Sequence, residues 1–351
     1  MKKSGKRVKT GKTGRSASNR NSRLSGKLCH LVTILLTFIL AGMLGFSFLG
    51  RYMNPENAVL FPALGYWAMY LWIANLIMFF VWLFKWKVWA VFPVVSLFVG
   101  FHCISTMVKP DFSEEKLPCD LKIATLNVGG FEGQDKWEQV HEILKYVDRN
   151  NVNVLCLQEF VTADSHFADS ARESFRSKFK YEYVPDDEEG RMDLAVFSKH
   201  PMASRSIVRL EKTPSRALWC DIVKGNDTIR IFNVHLDAGG DAVPPSDAWH
   251  VAAKDRARQA LAISKEVKRS KLPVILCGEF GDVPTSFSYG CIADVLSDGF
   301  DECGIGSAST NGWLSRTNYI FTDKNEFNGE FYVTSSLMEN LHRPVMMGLS
   351  Y

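Results

Sequence analysis

The chain has 351 residues, 46% of them hydrophobic, and a formal net charge of +3. Ten of its 41 Lys and Arg residues lie in the first 28 positions, which contain no acidic residue, whereas residues 109–351 carry 28 basic and 37 acidic side chains. The C-terminal part is therefore negatively charged overall and has no positive field for holding a phosphate backbone. This argues against nucleic acid as its partner.

Residues 1–28 form a basic tail rich in Lys, Arg, Ser and Gly, with very little apolar surface to bury. This composition predicts disorder. We interpret the tail as a cytoplasmic flank that orients a following membrane helix, with a nucleic-acid-binding arm as the alternative. A cleaved signal peptide fits poorly, because the charged part is long and several apolar runs follow it.

Residues 29–108 predict a membrane region of three transmembrane helices. Three stretches lack any charged side chain: Cys29 to Gly50 with 22 residues, Ala58 to Phe84 with 27, and Val88 to Val108 with 21. About 20 apolar residues are enough to cross the hydrocarbon core. The third stretch could instead re-enter the membrane or lie at its surface.

The distribution of Lys and Arg predicts the orientation of these spans. The basic tail and the pair Lys85 and Lys87 would both lie inside. With three spans, residue 109 onward is then extracytoplasmic, and an even number of spans would reverse this. We therefore expect a multi-pass protein of the cell (inner) membrane, in contact with the lipid bilayer, with a cytoplasmic N-terminus.

A polar linker, residues 109–119, leads to a domain at 120–351 in which strand-like apolar runs alternate with helical periodicity. Val140, Ile143, Leu144 and Val147 repeat at helical spacing between two such strands. This order predicts an α/β fold, two sheets packed face to face with helices outside. Cysteines inside the apolar runs, Cys156 and Cys277, are expected to be buried thiols.

Polar side chains cluster where the predicted strands end. Oxygen ligands of this kind suit Mg²⁺, which keeps several waters and leaves positions for a phosphate. A nearby histidine can act as a general base or donate to a phosphate oxygen. Each residue alone is also consistent with a cap or a turn. The residues are Asn127, Glu159, Asn233, His235, Glu279, Asp282 and His342.

In their order these segments resemble the endonuclease/exonuclease/phosphatase superfamily, which has the DNase I-like fold, and especially its bacterial subfamily with N-terminal membrane helices. The resemblance covers residues 120–351. Its landmarks are Thr125-Leu-Asn127-Val-Gly, Leu157-Gln-Glu159, Leu194-Ala-Val-Phe-Ser198-Lys-His-Pro201, Asn233-Val-His235-Leu, Pro273-Val-Ile-Leu-Cys-Gly-Glu279-Phe-Gly-Asp282, Arg316-Thr-Asn318-Tyr-Ile-Phe and His342-Arg-Pro-Val.

The resemblance implies roles for several of these residues. Asn127 and Glu159 match the metal-side positions, for Mg²⁺ or possible Mn²⁺ binding. His235 matches the phosphate-contacting histidine, and His342 the principal catalytic histidine. The remaining assignments are catalytic roles for Glu279 and Asn318, and substrate binding for Asn233 and Arg316.

Four positions depart from the family pattern. Glu279 stands where an Asp positions the attacking water, and Gly281 where an Asn stabilises the transition state. Asn318 replaces the Asp that orients the catalytic histidine, and Leu341 replaces a metal-site Asp. Losing one transition-state donor costs on the order of 10²–10³ in rate. In the serine-protease triad, replacing the orienting Asp by Asn costs about 10⁴.

Two hypotheses follow. The domain is a divergent metal-dependent phosphoester hydrolase with much reduced or lost activity and weak or absent metal binding. Alternatively, it is a pseudoenzyme that serves as an extracytoplasmic ligand- or partner-binding module. For either, a small phosphate ester or a lipid headgroup is the expected ligand, because the domain is acidic and membrane-anchored.

Overall fold

A computed structural model describes residues 13–110, 118–132, 135–160, 165–185, 193–210, 217–236, 239, 242–312, 314–338 and 342–351. The first part of the predicted basic tail lies outside these residues, and so does Leu341. From residue 13 the tail continues into the first helix.

The N-terminal part of the chain is helical. One helix of the described chain, Leu24–Arg51 with 28 residues, is long and apolar enough to cross a membrane by itself. A second apolar stretch is broken between Leu60–Tyr66 and Ala68–Phe84, which are bent by 69°. The third is a short apolar helix, Val88–Val99, which consists of a 3₁₀ turn and an α-helix that begins at Val91. A break at Gly100 follows it. The prediction of three regular transmembrane helices is therefore not supported. The helices are α1 (Thr13–Ser47), α2 (Leu60–Tyr66), α3 (Ala68–Phe84), α4 (Val91–Val99) and α5 (Phe101–Ser105).

These helices pack into a bundle with few internal polar contacts. The fully buried Trp82 donates its indole N–H to Thr37 Oγ1 at 2.8 Å, and its ring meets His30 edge-on. Asn75, also fully buried, donates to Leu40 O and Leu71 O. Many large apolar side chains of α1, α3 and α4 point outward and are not covered by protein.

The C-terminal part has the expected α/β architecture of two facing sheets. One six-stranded sheet has the order β13-β14-β2-β3-β5-β4, and the other β10-β12-β9-β8-β7-β6. The strands are β1 (Val108–Lys109), β2 (Leu121–Asn127), β3 (Val154–Gln158), β4 (Tyr181–Tyr183), β5 (Ala195–Ser198), β6 (Met202–Ile207), β7 (Ala217–Lys224), β8 (Asp227–His235), β9 (Val274–Glu279), β10 (Ser297–Asp298), β11 (Gly306–Ser307), β12 (Asn318–Thr322), β13 (Asn328–Thr334) and β14 (Val345–Ser350).

Each sheet is centred on a parallel pair joined through a helix. β2 pairs with β3, and β8 with β9. Because the strands of a pair run in the same direction, their carboxyl ends meet at one edge of the sheet, and the connecting helices start there. We call this edge of both sheets the active-site edge. The helices are α6 (Lys136–Asn150), α7 (Ser165–Arg176), α8 (Asp247–Arg269), α9 (Phe287–Ala293) and α10 (Gly299–Cys303).

The hydrophobic core lies between the sheets, with an outer core under each helical layer. Cys156 and Cys277 are fully buried in the inner core as free thiols, as the sequence predicts. Gly278 is required by close approach of strands, because a Cβ atom there would lie 1.9 Å from Val234 O. Its φ of +142° also suits glycine alone.

The domain is docked onto one end of the bundle. Thr285 donates to Gly65 O at 2.7 Å, and the indole of Trp67 donates to Pro244 O at 3.3 Å. The expected linker begins inside this contact, because β1 pairs antiparallel with β11. Residues 111–117 lie outside the described chain.

Candidate active site

The sheets bring the predicted site residues to the active-site edge. In the pairing of β8 with β9, His235 lies opposite Glu279. In the pairing of β9 with β12, Asn318 also lies opposite Glu279. Asn127 ends β2 of the other sheet, and Glu159 directly follows β3. Strand register thus aligns three of these residues in one sheet, and the packing of the two sheets brings Asn127 and Glu159 to them.

Asn127 connects two carboxylates across the sandwich. Its Nδ2 donates to Glu159 Oε1 at 2.8 Å and, through a very short contact, to Glu279 Oε2. Its Oδ1 accepts from the backbone N–H of Gly129 at 2.7 Å, which fixes the orientation of the amide. The longer side chain of Glu279 thus reaches the partner sheet.

Glu159, His235 and Glu279 form the one group of potential metal ligands found among the described residues. One ligand atom from each lies within 4.8 Å of the others. His235 Nε2 is 3.6 Å from Glu159 Oε1. Glu159 has a φ of +52°, which turns its side chain into the site as the chain leaves β3.

Asp193 is a site residue that the sequence analysis missed. Its Oδ2 lies 2.6 Å from Nδ1 of His235, which is almost fully buried. A carboxylate at Nδ1 holds the proton there and leaves Nε2 as the nitrogen that faces the site. The sequence feature that could have identified it is its position, since Asp193 directly precedes the landmark that begins at Leu194.

His342 lies on the other side of Glu279. Its Nδ1 is 3.2 Å from Asn318 Oδ1 and 3.5 Å from Glu279 Oε1. The amide oxygen of Asn318 accepts the Nδ1 proton as the expected Asp would, but it is neutral. It therefore orients the ring without an equal electrostatic stabilisation of the charged imidazolium.

Two residues assigned to substrate binding have structural roles instead. Asn233 is fully buried and joins the sheets, accepting from Gln158 Nε2 at 2.7 Å and donating to Leu157 O and Ala195 O. These bonds occupy its amide inside the sandwich. Asn233 therefore joins the sheets, and the predicted role in substrate binding is corrected.

Arg316 is also fully buried. Its guanidinium donates to both carboxylate oxygens of Asp298, at 2.8 and 2.5 Å, and to Thr106 O at 3.3 Å. This group stabilises the junction of the domain with α5 and is not available to a substrate.

Two further positions confirm how the loop after β9 differs from the pattern. Gly281 has a φ of +58° and offers no side chain to the site. Asp282 is buried and accepts from Arg256 Nε at 3.2 Å and Ser288 Oγ at 2.7 Å, so it holds the loop in place. The fourth substituted position, Leu341, is outside the described residues.

Comparisons with known proteins agree with this geometry. Residues 124–290 match the model of the endonuclease/exonuclease/phosphatase family, and residues 29–107 match a domain family of unknown function. No curated protein sequence matches the chain.

Solved structures of similar fold each cover about two thirds of the chain. A Leptotrichia buccalis protein of this family is 15% identical with a TM-score of 0.53, covering 66% of this chain and 100% of its own. A Bacteroides vulgatus family member is 16% identical, with a TM-score of 0.53 and coverages of 66% and 99%. A mannosyl-6-phosphatase from Bacteroides thetaiotaomicron is 20% identical, with a TM-score of 0.51 and coverages of 66% and 100%. The C-terminal domain of this chain belongs to the endonuclease/exonuclease/phosphatase superfamily.

Proposed function

We propose that the chain is a membrane-anchored, metal-dependent phosphoester hydrolase of much reduced activity. The observation that carries this proposal is the convergence of Glu159, His235 and Glu279 within 4.8 Å. His342 lies beside this group, 3.5 Å from Glu279. A carboxylate pair between two histidines is a suitable arrangement for activating water next to a phosphate.

The residues fit a divalent cation. The carboxylates of Glu159 and Glu279 are hard oxygen donors that suit Mg²⁺ or Mn²⁺, with His235 left to contact the phosphate. Such an ion would supply charge stabilisation for the phosphate oxygens. With Leu341 in place of an acid, the chain offers fewer charged oxygens than the family pattern, so we expect weak affinity.

The side chains divide the remaining work. Asp193 holds the proton on His235 Nδ1, so Nε2 faces the phosphate position. Asn318 orients His342 through Nδ1. Glu279 is the carboxylate nearest His342 and is the candidate to hold the attacking water. Gly281 leaves the transition state without a donor, which lowers the expected rate by about 10²–10³.

The second candidate function is a ligand- or partner-binding pseudoenzyme. The observation that favours it is the bridge from Asn127 Nδ2 to both Glu159 and Glu279. Each carboxylate thus takes part in a hydrogen bond that joins the two sheets, a structural role that does not depend on catalysis.

Hydrolysis by the full-length protein in detergent separates the two functions. We expect slow release of p-nitrophenol from its phosphate monoester or diester with Mg²⁺ or Mn²⁺, abolished by EDTA. His342→Ala should lower that rate by about 10²–10⁴, the usual contribution of a general acid or base. His141→Ala, which removes an exposed histidine of α6, is the matched control.

Activity that is unchanged by EDTA or by His342→Ala would contradict the proposed mechanism. A folded protein with no hydrolysis above the buffer rate would instead support the binding module. Circular dichroism of each variant shows whether the fold is retained.

Membrane anchoring is supported by the arrangement of the bundle. Lys85 lies 5.4 Å over the ring of Trp82, near His30, at the end of the bundle where α1 comes from the basic tail. The domain contacts the opposite end, at Gly65 and Thr106. Positive charge at one end and the domain at the other agree with a cytoplasmic tail and an extracytoplasmic domain.

A topology assay tests this orientation. A reporter that is active only outside the cytoplasm, fused after Tyr351, should be active. The same reporter fused after Lys87 should be inactive, because that turn is expected inside. The reverse pattern, or activity of both fusions, would overturn the orientation.

A further inference from the structure

The active-site edge is the side of the domain that contacts the bundle. Segments that follow or precede site residues carry these contacts. Pro244 comes after His235 and accepts from Trp67, and Thr285 comes after Glu279 and donates to Gly65 O. In the segment that joins β11 to β12 and leads to Asn318, Ala308 N donates to Met107 O at 2.8 Å.

The helices of this half of the domain also start against the bundle. Near the beginning of α8, His250 Nε2 lies 3.1 Å from Pro55 O. In α9, the ring of Tyr289 lies 5.3 Å from the guanidinium of Arg51. Since α8 follows β8 and α9 follows β9, both helix starts mark the same edge as the site.

The other half of the domain presents an uncovered counterpart at this edge. α6 follows β2 and α7 follows β3, so the starts of α6 and α7 lie at the active-site edge as well. Trp137, the second residue of α6, is 44% exposed, although its ring meets Phe167 edge-on at 5.0 Å. Lys136 Nζ lies 5.3 Å from the ring of Phe167.

We propose that this aromatic rim, the exposed Trp137 with Lys136 beside it and the buried Phe167 supporting both, contacts the surface of the lipid bilayer, so that the site opens toward lipid headgroups. The inference rests on the membrane anchoring proposed above. The bundle holds one half of the active-site edge at the end of the apolar helices, where the bilayer surface lies. The rim continues that edge on the other half.

The chemistry of the rim suits this occupant. Indole is amphipathic and prefers the headgroup level of a bilayer, and a neighbouring Lys can extend its charge to anionic lipids. A packed aromatic pair keeps the exposed ring in place. The acidic domain as a whole would be repelled by such lipids, so contact depends on this local combination.

Quenching of Trp fluorescence by brominated lipids tests the contact in nanodiscs that contain the full chain. The contribution of one Trp to the fluorescence is obtained by subtracting the emission of its Phe variant from that of the wild type. We expect the contribution of Trp137, obtained with Trp137→Phe, to be lower in brominated than in plain lipid. Trp137→Tyr should give the same difference, which guards against a fold defect in one variant.

Two further variants, Trp86→Phe and Trp219→Phe, distinguish a failure of the rim contact from a failure of membrane anchoring. Trp86 is 92% exposed beside Lys85 at the far end of the bundle, and its emission should be quenched if the chain is anchored at all. Trp219 of β7 has its ring 3.7 Å from the guanidinium of Arg230 on β8, and its emission should not be quenched. Quenching of Trp86 without Trp137 would overturn the rim contact alone, and quenching of neither would overturn anchoring too.

Discussion

Arg316→Met is expected to lower the free energy of unfolding by about 3–5 kcal/mol, the usual effect of removing one partner of a buried ion pair. The substitution leaves the carboxylate of Asp298 buried without its charge partner. It also removes the donor to Thr106 O and a bond to Tyr332 Oη at 3.2 Å. Urea unfolding of the full chain in detergent, followed by Trp fluorescence, measures the change.

The control for this effect is Arg269→Met. Arg269 pairs with Glu266 at 2.6 Å on the surface of α8, with its side chain 73% exposed. Removing an exposed pair should change stability by about 0–1 kcal/mol. Adding Asp298→Leu to Arg316→Met should recover part of the loss, because no unpaired charge remains. An Arg316 effect as small as that of Arg269 would return Arg316 to the candidates for substrate binding.

Simultaneous restoration of the four substituted positions is expected to raise phosphoester hydrolysis by several orders of magnitude. The variant combines Glu279→Asp, Gly281→Asn, Asn318→Asp and Leu341→Asp. A restored transition-state donor contributes about 10²–10³, and a restored orienting carboxylate up to about 10⁴. Single reversions should do little, because residues that act together recover activity together.

The geometry is compatible with these changes. Asn tolerates the left-handed region, so Asn at position 281 can adopt the φ of +58° found there. Asp at position 318 would place a charged oxygen where Asn318 Oδ1 now lies, 3.2 Å from His342 Nδ1. Asp at position 279 has a shorter side chain, which would withdraw from Asn127. The amide of Asn127 would then remain with Glu159 at the metal position.

Stability has to be measured with the rates, because Leu341→Asp replaces an apolar side chain by a charged one. Wild-type hydrolysis at ordinary enzyme rates, abolished by Glu279→Ala, would contradict the loss of activity and indicate a mechanism rebuilt on Glu279. A folded quadruple variant without activity would show that the substrate pocket has also changed.

The sequence was sufficient to predict the two sheets and that most of the candidate residues lie where the strands end. Buried strands such as β3 and β9 are continuous apolar runs that end abruptly in Glu159 and Glu279, and parallel pairing brings such ends together. Hydropathy also located the apolar segments of the bundle. It could not show the bend at Trp67 or the break at Gly100, because helix continuity depends on tertiary packing as well as on apolar content.

The roles of individual polar residues were harder to predict. Asn233 and Arg316 stand inside recognisable motifs, but their partners, Gln158 and Asp298, are distant or unremarkable in sequence. A motif therefore marks a position in the fold without distinguishing a residue that stabilises it from one that meets a ligand. Asp193 was missed for the converse reason, since its role depends on contact with His235 on the other sheet.

The backbone of Glu159 is strained at the point where the chain brings a carboxylate into the site. A non-glycine residue at a φ of +52° is less favourable than glycine by about 1–2 kcal/mol. Glycine at this position would relieve the strain, but it would also remove the carboxylate that lies 3.6 Å from His235 Nε2. The free-energy cost of the left-handed backbone at Glu159 is therefore also the cost of having a carboxylate at this point of the site.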